Sequence, residues 1–170
     1  MRILLILTNE PHGRKSQALS VDQIIEAYYF LHDIGVEVVI ASSQGGHFPA
    51  RRERGRATEP ASLIQRFQKD RSARDALNDA LKIEQIYPED FDGAICTAVV
   101  DADIHSADAE NVLSLLESLL AAGKPVAAVS SKIEFAHHKS LEGVLISGEK
   151  LRAPYLAAKA ILDVLNQPAR

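Results

Sequence analysis

The sequence predicts a single α/β domain built on a mainly parallel β-sheet. Three observations lead to this fold class: a length of 170 residues, short apolar runs, and amphipathic helical patterns between those runs. A chain of this length fits one domain, residues 1–170, and buries about 70% of the surface that its unfolded state exposes. It therefore needs neither a disulfide nor a structural metal to form a core.

The predicted strands are runs in which neighbouring residues are all apolar. Side chains alternate between the two faces of a strand, so such a run belongs to a strand that is covered on both faces, as in a parallel sheet. About five runs fit this description, at residues 3–8, 36–42, 93–97, 126–130 and 144–147.

Amphipathic segments lie between these strands, at residues 21–34, 61–81, 111–122 and 154–165. In the first, apolar residues recur at helical spacing, with Ser20 fitting an N-cap and Gly35 a C-terminal glycine. The second is predicted to hold two short helices. Alternation of strands and helices is typical of right-handed βαβ units, which supports the parallel sheet.

Composition excludes several functional classes. The net charge of −4 gives no overall attraction for nucleic acid or for an acidic membrane, so we expect neither as a partner. Cys96 is the only cysteine, which excludes an intrachain disulfide and a cysteine-rich metal site. The apolar run near the N-terminus is shorter than the core of a signal peptide or a membrane span, and we expect a cytoplasmic protein.

Candidate site residues follow the predicted strands. Ligands of open α/β sheets bind beyond the carboxyl ends of the strands, where we expect a small-molecule ligand. Cys96 ends the third predicted strand, Ser130 and Ser131 follow the fourth, and the pair His137 and His138 comes a few residues later.

Several sequence segments, in order along the chain, resemble those of a known protein family. They are RILLILTNEP, AYYFLHDIGVEVVIASSQGG, QRFQKDRSARDALNDALKIEQIYPEDFDGAIC, LLAAGKPVAAVSS and VLISGEKLRAPYLAAKAILDVL. With these phrases the chain resembles the ThiJ/PfpI superfamily, also called class I glutamine amidotransferase-like, and most of all its glyoxalase III / chaperone branch. The resemblance implies a flavodoxin-like three-layer sandwich and a homodimer.

The resemblance also implies a catalytic site from which this sequence departs. Active members commonly carry Ala-Val-Cys-His-Gly at a strand-to-helix elbow, a carboxylate on the first helix, and a Pro-Gly-Gly turn after the third strand. Here Ser130 replaces the cysteine nucleophile, Ser131 replaces the histidine, and Gln23 aligns with the glutamate. The turn aligns with residues 97–99, which contain no glycine, and only residues 133–143 stand where the family has a longer segment.

These departures weaken the chemistry at the elbow. A thiol reaches its thiolate with modest help, since its pKa is about 8.5, whereas a serine hydroxyl needs an adjacent general base. The base position holds Ser131, and Lys132 beside it is poorly placed to face Ser130. We therefore predict no confident catalytic residue, and Ser130 and Ser131 more simply bond the strand end or cap a turn.

The remaining candidates have simple structural explanations. His137 and His138 lack evident companion ligands, so an exposed turn is favoured over a metal site. Cys96 fits a small buried apolar residue. Asp108 and Glu110 favour the N-terminus of the helix that follows them. We expect neither a metal nor a cofactor.

Three functions stay open. The first is a non-catalytic, pseudoenzyme-like member of the superfamily that acts by binding or dimerisation. The second is a hydrolase or glyoxalase-type enzyme with relocated residues, using Ser130 with His137 or His138, or using Cys96. The third is a chaperone-like role in stress response, which the resemblance alone implies.

Overall fold

Six strands and five helices occur in the described part of the chain, which comprises residues 1–7, 21–46, 61–97, 107–129, 142–147 and 153–167 of a computed structural model. The strands are β1 (Arg2–Leu7), β2 (Glu37–Ser42), β3 (Leu81–Lys82), β4 (Gly93–Cys96), β5 (Val126–Ala128) and β6 (Leu145–Ile146). The helices are α1 (Val21–Asp33), α2 (Ala61–Lys69), α3 (Arg71–Asn78), α4 (Ala107–Ala121) and α5 (Pro154–Leu165), with short 3-10 helices at Ile83–Gln85 and Pro88–Asp90.

The strands form one parallel sheet in the order β3-β2-β1-β4-β5-β6. β1 lies inside the sheet, where Ile3 is opposite Val38 of β2 and Gly93 of β4. Without the short edge strand β3, the remaining five strands follow the order of a flavodoxin-like sheet. The α/β class and the flavodoxin-like sandwich are confirmed.

The strand count differs from the sequence prediction. We expected about five strands and find six in the described residues, because residues 81 and 82 form β3 beside Ala41 and Ser42 of β2. The predicted helical segment extends to residue 81, whereas α3 ends at Asn78. Two residues show no periodicity, and the exposed Leu81 gives no sign of a buried strand, so only pairing with a distant strand identifies β3.

The helix predictions agree closely with the structure. The segment 61–81 holds two helices, α2 and α3, as predicted, and α5 has the predicted bounds. Gly35 and Gly123 follow α1 and α4 with φ values of 81° and 74°. α4 begins four residues before the predicted start, and Ser20 lies outside the described residues.

Helices cover both faces of the sheet, and this explains why β1 is apolar at consecutive positions. Ile3, Leu5 and Leu7 pack in the core under α1 and α5, whereas Leu4 and Ile6 pack in the core under α4. All five side chains are fully buried. No helix in the described ranges is long and apolar enough to cross a membrane.

Candidate functional site

The carboxyl ends of β1 and β4 form the crevice at which the strand order reverses. α1 follows β1 on one face of the sheet and α4 follows β4 on the other, so the chain leaves these neighbouring strands in opposite directions. Such a switch point is where open α/β sheets bind their ligands. Among the described residues, polar groups that the topology brings to this edge include Thr97, Ser42 and Gln23.

Thr97 ties the end of β4 to β1. Its backbone N–H donates to the Ile6 carbonyl at 3.0 Å, and its hydroxyl donates to the same oxygen at 2.9 Å. The side chain is only 3% exposed. Thr97 is the first residue of the segment that aligns with the family's Pro-Gly-Gly turn, and the next two residues lie outside the described part.

Cys96 ends β4 but points away from the crevice. Its side chain is fully buried in the core under α4, among residues such as Ile6 and Leu116. Its carbonyl accepts a hydrogen bond from the backbone N–H of Val129 at 2.9 Å. Reactive cysteines occupy electropositive, partly exposed surroundings, so this placement fits a packing role.

The end of β2 continues into residues 42–46, which we call the β2 turn. Ser42 is 4% exposed, and its Oγ accepts a hydrogen bond from the Gly45 N–H at 2.9 Å. Ser43 is half-buried and Gln44 is exposed. The Gly46 N–H donates to the Ala80 carbonyl at 2.7 Å, which joins the turn to the segment after α3.

Gln23 is the one aligned catalytic position in the described residues. It lies in the first turn of α1, is half-buried, and takes part in an interaction within the protein. An amide can donate and accept hydrogen bonds but cannot act as a general base. The other predicted site residues, Ser130, Ser131, His137 and His138, lie outside the described residues, so their roles stay predictions.

A polar cluster that the sequence analysis missed joins α1 to α2 and α3. Arg66 donates to both carboxylate oxygens of Asp33, at 2.7 and 2.5 Å, and its guanidinium lies 3.9 Å from the centre of the Tyr29 ring. The Tyr29 hydroxyl donates to Asp70 at 3.0 Å, and Asp70 caps α3 by accepting from the Ala73 N–H. We call Tyr29, Asp33, Arg66 and Asp70 the α1 latch.

Neighbouring groups shift the pKa values within the α1 latch. Hydrogen bonding to Arg66 lowers the pKa of Asp33, and the Ala73 N–H is the main cause of the lowered pKa of Asp70. Burial, followed by the hydrogen bond to Asp70, raises the pKa of Tyr29 to about 12. These shifts hold both carboxyl groups ionised and the phenol neutral at neutral pH, which fits a structural tie.

The α1 latch had one local sequence signal. Aspartate immediately before a helical pattern is a common N-cap, and this could have identified Asp70. The contact between Asp33 and Arg66 joins residues 33 positions apart, so no local spacing reveals it.

Neither a metal centre nor a large ligand site is identified by the features of the described residues that follow. That part contains no group of three or more His, Cys, Asp or Glu side chains placed to hold a metal ion. One small cavity of about 10 Å³, near the size of a single water site, lies between α1, β2, α2 and α3. Its lining residues are Ile24, Ile25, Tyr28, Ile40, Phe67, Ala73 and Leu77.

Comparisons with known proteins identify the fold. The sequence matches no protein-family model and no curated protein. Its fold is similar to that of Rapid Encystment Protein 24 kDa (REP24) of Francisella tularensis, with 16% identity and a TM-score of 0.57, over 75% of this chain and 57% of REP24. It is also similar to the crystal structure of the protein APC35852, with 16% identity and a TM-score of 0.56, over 96% of this chain and 97% of that one.

A further similar structure is glyoxalase III of Candida albicans, at 18% identity and a TM-score of 0.48, covering 75% of this chain and 56% of that enzyme. The chain thus spans little more than half the length of REP24 and of this enzyme. A two-domain protein from Anabaena variabilis that contains a DJ-1/ThiJ/PfpI-like domain is also similar, at 16% identity and a TM-score of 0.45, covering 75% of this chain and 29% of that one. At identities this low, the structural similarity establishes a shared fold and nothing further.

Proposed function

We propose that this chain is a ThiJ/PfpI-type protein that acts by binding a small polar molecule at the carboxyl edge of its sheet, without catalysing a reaction. The observation that carries the proposal concerns the strands on either side of β1. The hydroxyls of Ser42 and Thr97 are buried and engaged with backbone groups, and the Cys96 thiol lies in the core. None of these three groups is presented to the crevice as a nucleophile.

The residues that align with the family's catalytic positions support the same conclusion. Gln23 supplies a neutral amide where a carboxylate is expected, and Ser130 and Ser131 replace the nucleophile and its histidine. A serine without a neighbouring base is a poor nucleophile, and several simultaneous losses are harder to compensate than one.

The described edge still offers neutral hydrogen-bonding groups. Ser43 and Gln44 of the β2 turn are at least partly exposed, and Gln23 lies at the start of α1 on the same edge. Hydroxyl and amide groups both donate and accept, so they suit an uncharged polar ligand. Binding through such groups requires no proton transfer.

A thermal-shift screen of the purified protein tests this proposal. The panel contains methylglyoxal-derived compounds, nucleotides, amino acids and divalent metal ions. A ligand that binds only the folded state raises Tm with its concentration, and we expect an uncharged polar compound to do so. Gln44→Ala should reduce that shift, whereas Gln68→Ala, an exposed glutamine on α2, serves as the matched control.

Activity assays decide between binding and catalysis. We expect no removal of methylglyoxal and no ester or peptide hydrolysis above background. Turnover that Ser130→Ala abolishes would contradict the proposal and favour an enzyme that uses Ser130 with His137 or His138. Suppression of client aggregation in the absence of any ligand-induced shift would instead favour the chaperone-like, stress-related role.

We further propose that the protein is cytoplasmic and forms a homodimer; the dimer is supported by the resembled family, which is often dimeric. Leu156 of α5 is 40% exposed and provides apolar surface on an outer helix. Light scattering after size-exclusion chromatography measures the mass of the assembly. A mass equal to the 18.5 kDa chain at micromolar concentration would contradict the homodimer.

A further inference from the structure

The α2 and α3 helices form an arm whose far end is bonded to the carboxyl edge of the sheet. α3 ends at Asn78, and two residues later the Ala80 carbonyl accepts the Gly46 N–H at 2.7 Å. β3 follows at once and pairs with the last two residues of β2. A displacement of α3 would therefore move the backbone that holds the β2 turn.

The β2 turn fits closely against the segment that follows this arm. Gly45 and Gly46 have φ values of 67° and 65°, in the region that favours glycine. A Cβ added to Gly45 would lie 2.6 Å from Cγ of Lys82 and 3.2 Å from the Ala80 carbonyl oxygen. The β2 turn and the segment from residue 80 to 82 are thus in tight contact. We therefore expect a displacement of either one to displace the other.

The middle of the arm, where α2 meets α3, is held by the α1 latch. Arg66 of α2 binds both oxygens of Asp33 and covers the Tyr29 ring, while Asp70, at the joint between α2 and α3, accepts the Tyr29 hydroxyl. Tyr29 is only 1% exposed, so its position is fixed by the core. The α1 latch therefore anchors the arm to a rigid part of the domain.

The apolar packing of the arm against α1 and β2 contains a small gap. The small cavity described above lies between the arm, α1 and β2, and Phe67, Ala73 and Leu77 of the arm line it. Contacts fall off steeply with separation, so a gap in an interface reduces the attraction that opposes a small shift. Polar contacts with defined directions, such as those of the α1 latch, restrict such a shift.

From these contacts we propose that the arm is the positioning element of the β2 turn, and that the α1 latch sets where the arm lies. Ser43 and Gln44 would then be presented to a ligand only while the α1 latch is closed. The functional meaning of this inference rests on the proposed binding at the carboxyl edge. The mechanical coupling itself can be measured without any ligand.

Amide hydrogen exchange, followed residue by residue by NMR, tests the coupling. Arg66→Gln removes the bidentate contact, and Tyr29→Phe removes only the hydroxyl bound to Asp70. In both variants we expect the Gly46 amide to exchange about threefold faster or more, as contacts of this kind contribute modestly but measurably. The Thr97 amide, which donates to Ile6 in the centre of the sheet, should keep its rate.

The matched control is Arg71→Gln. Arg71 lies on the same arm, where its guanidinium pairs with Asp75 at 3.3 Å and its side chain is 87% exposed. Its loss should leave Gly46 exchange unchanged. The inference is overturned if arm amides accelerate in the latch variants while Gly46 does not, or if Gly46 and Thr97 accelerate equally, which would indicate general destabilisation. If Arg66→Gln does not fold, the milder Tyr29→Phe decides the question by the same readout.

Discussion

The buried hydroxyl of Thr97 provides a test at the scale of a single residue. Thr97→Val keeps the shape of the side chain and removes its hydrogen bond to the Ile6 carbonyl, which still accepts the Thr97 N–H. We expect a loss of about 1 kcal/mol in the free energy of unfolding. Urea denaturation measures this loss, and Thr97→Ser, which keeps the hydroxyl, is the control. An unchanged urea midpoint for Thr97→Val would show that the hydroxyl contributes nothing to the free energy of unfolding.

The Cys96 side chain leads to a second prediction at this scale. Because it is fully buried among apolar residues, the thiol should not react with Ellman's reagent in the native protein and should react in denaturant. Cys96→Ser places a hydroxyl in the same surroundings and should destabilise the fold by about 1–3 kcal/mol. Rapid modification of the native protein would show that the Cys96 thiol is accessible and would make Cys96 a candidate reactive residue.

Individual residues also mark the limit of inference from sequence. A burial role for Cys96 could be predicted from its residue type, whereas the bidentate contact between Asp33 and Arg66 could not, because their proximity is created by the packing of α2 on α1. The segment that contains Arg66 and Phe67 belongs to one of the sequence segments that carry the family resemblance. In this structure both residues hold the arm to α1 and the core.

At the scale of elements, the packing of α5 on β4 depends on a position without a side chain. A Cβ on Gly93 would lie 2.9 Å from Cδ1 of Ile161 in α5 and 3.0 Å from the Pro125 carbonyl oxygen. We expect Gly93→Ala to cost about 1–3 kcal/mol of stability, since backbone cannot move aside freely. Thermal melting measures the effect. Adding Ile161→Val should recover only part of the loss, and full recovery would mean that the backbone contact is unimportant.

The elements that the sequence predicted well are those that strong local patterns define. α5 has a twelve-residue apolar periodicity, and β1 is a run of consecutive apolar residues, so their type follows from the chain itself; α5 also has the predicted bounds, whereas β1 begins one residue before its predicted start. β3 was missed because its two residues become a strand only through the register with Ala41 and Ser42. Elements that long-range pairing creates leave no local pattern to read.

At the scale of the whole molecule, acid should weaken the attachment of α1 to the arm. The pKa values of Asp33 and Asp70 are lowered in the folded state, so their contribution to stability is present above the unfolded value of about 4 and is lost as the pH falls through the folded values. Arg66 is the cation that faces these carboxylates, and the His32 ring lies 3.5 Å from Asp33.

The difference in Tm between the native protein and Arg66→Gln measures this contribution. We expect a difference near pH 7 that shrinks below about pH 4, because protonated Asp33 no longer attracts the guanidinium. Arg71→Gln should show little difference at any pH, since exposed ion pairs of this kind contribute little. A difference for Arg66→Gln that is equally large in acid would assign its effect to lost packing on Tyr29.

The location of a site is a property of the whole molecule, and the sequence predicts it well. The sequence does not predict which side chains face the site. Parallel strands place their carboxyl ends together, so the crevice between β1 and β4 follows from the fold class alone. Side chains alternate between the two faces of a strand, so whether one faces the crevice depends on its place in that alternation. It also depends on hydrogen bonds such as those of Ser42 and Thr97. The residues that decide the proposed chemistry, Ser130 and Ser131, lie beyond the described residues.

The central place of β1 has a consequence for synthesis on the ribosome. Of the six described strands β1 emerges first, yet one of its two neighbours is β4, whose paired residues lie 90 positions further along the chain. Until that neighbour has left the exit tunnel, β1 presents an unpaired apolar edge that can recruit other nascent chains. Early pairing with β2 protects only the other edge, so translation pauses before β4 emerges would prolong the period in which this protein is most prone to aggregate.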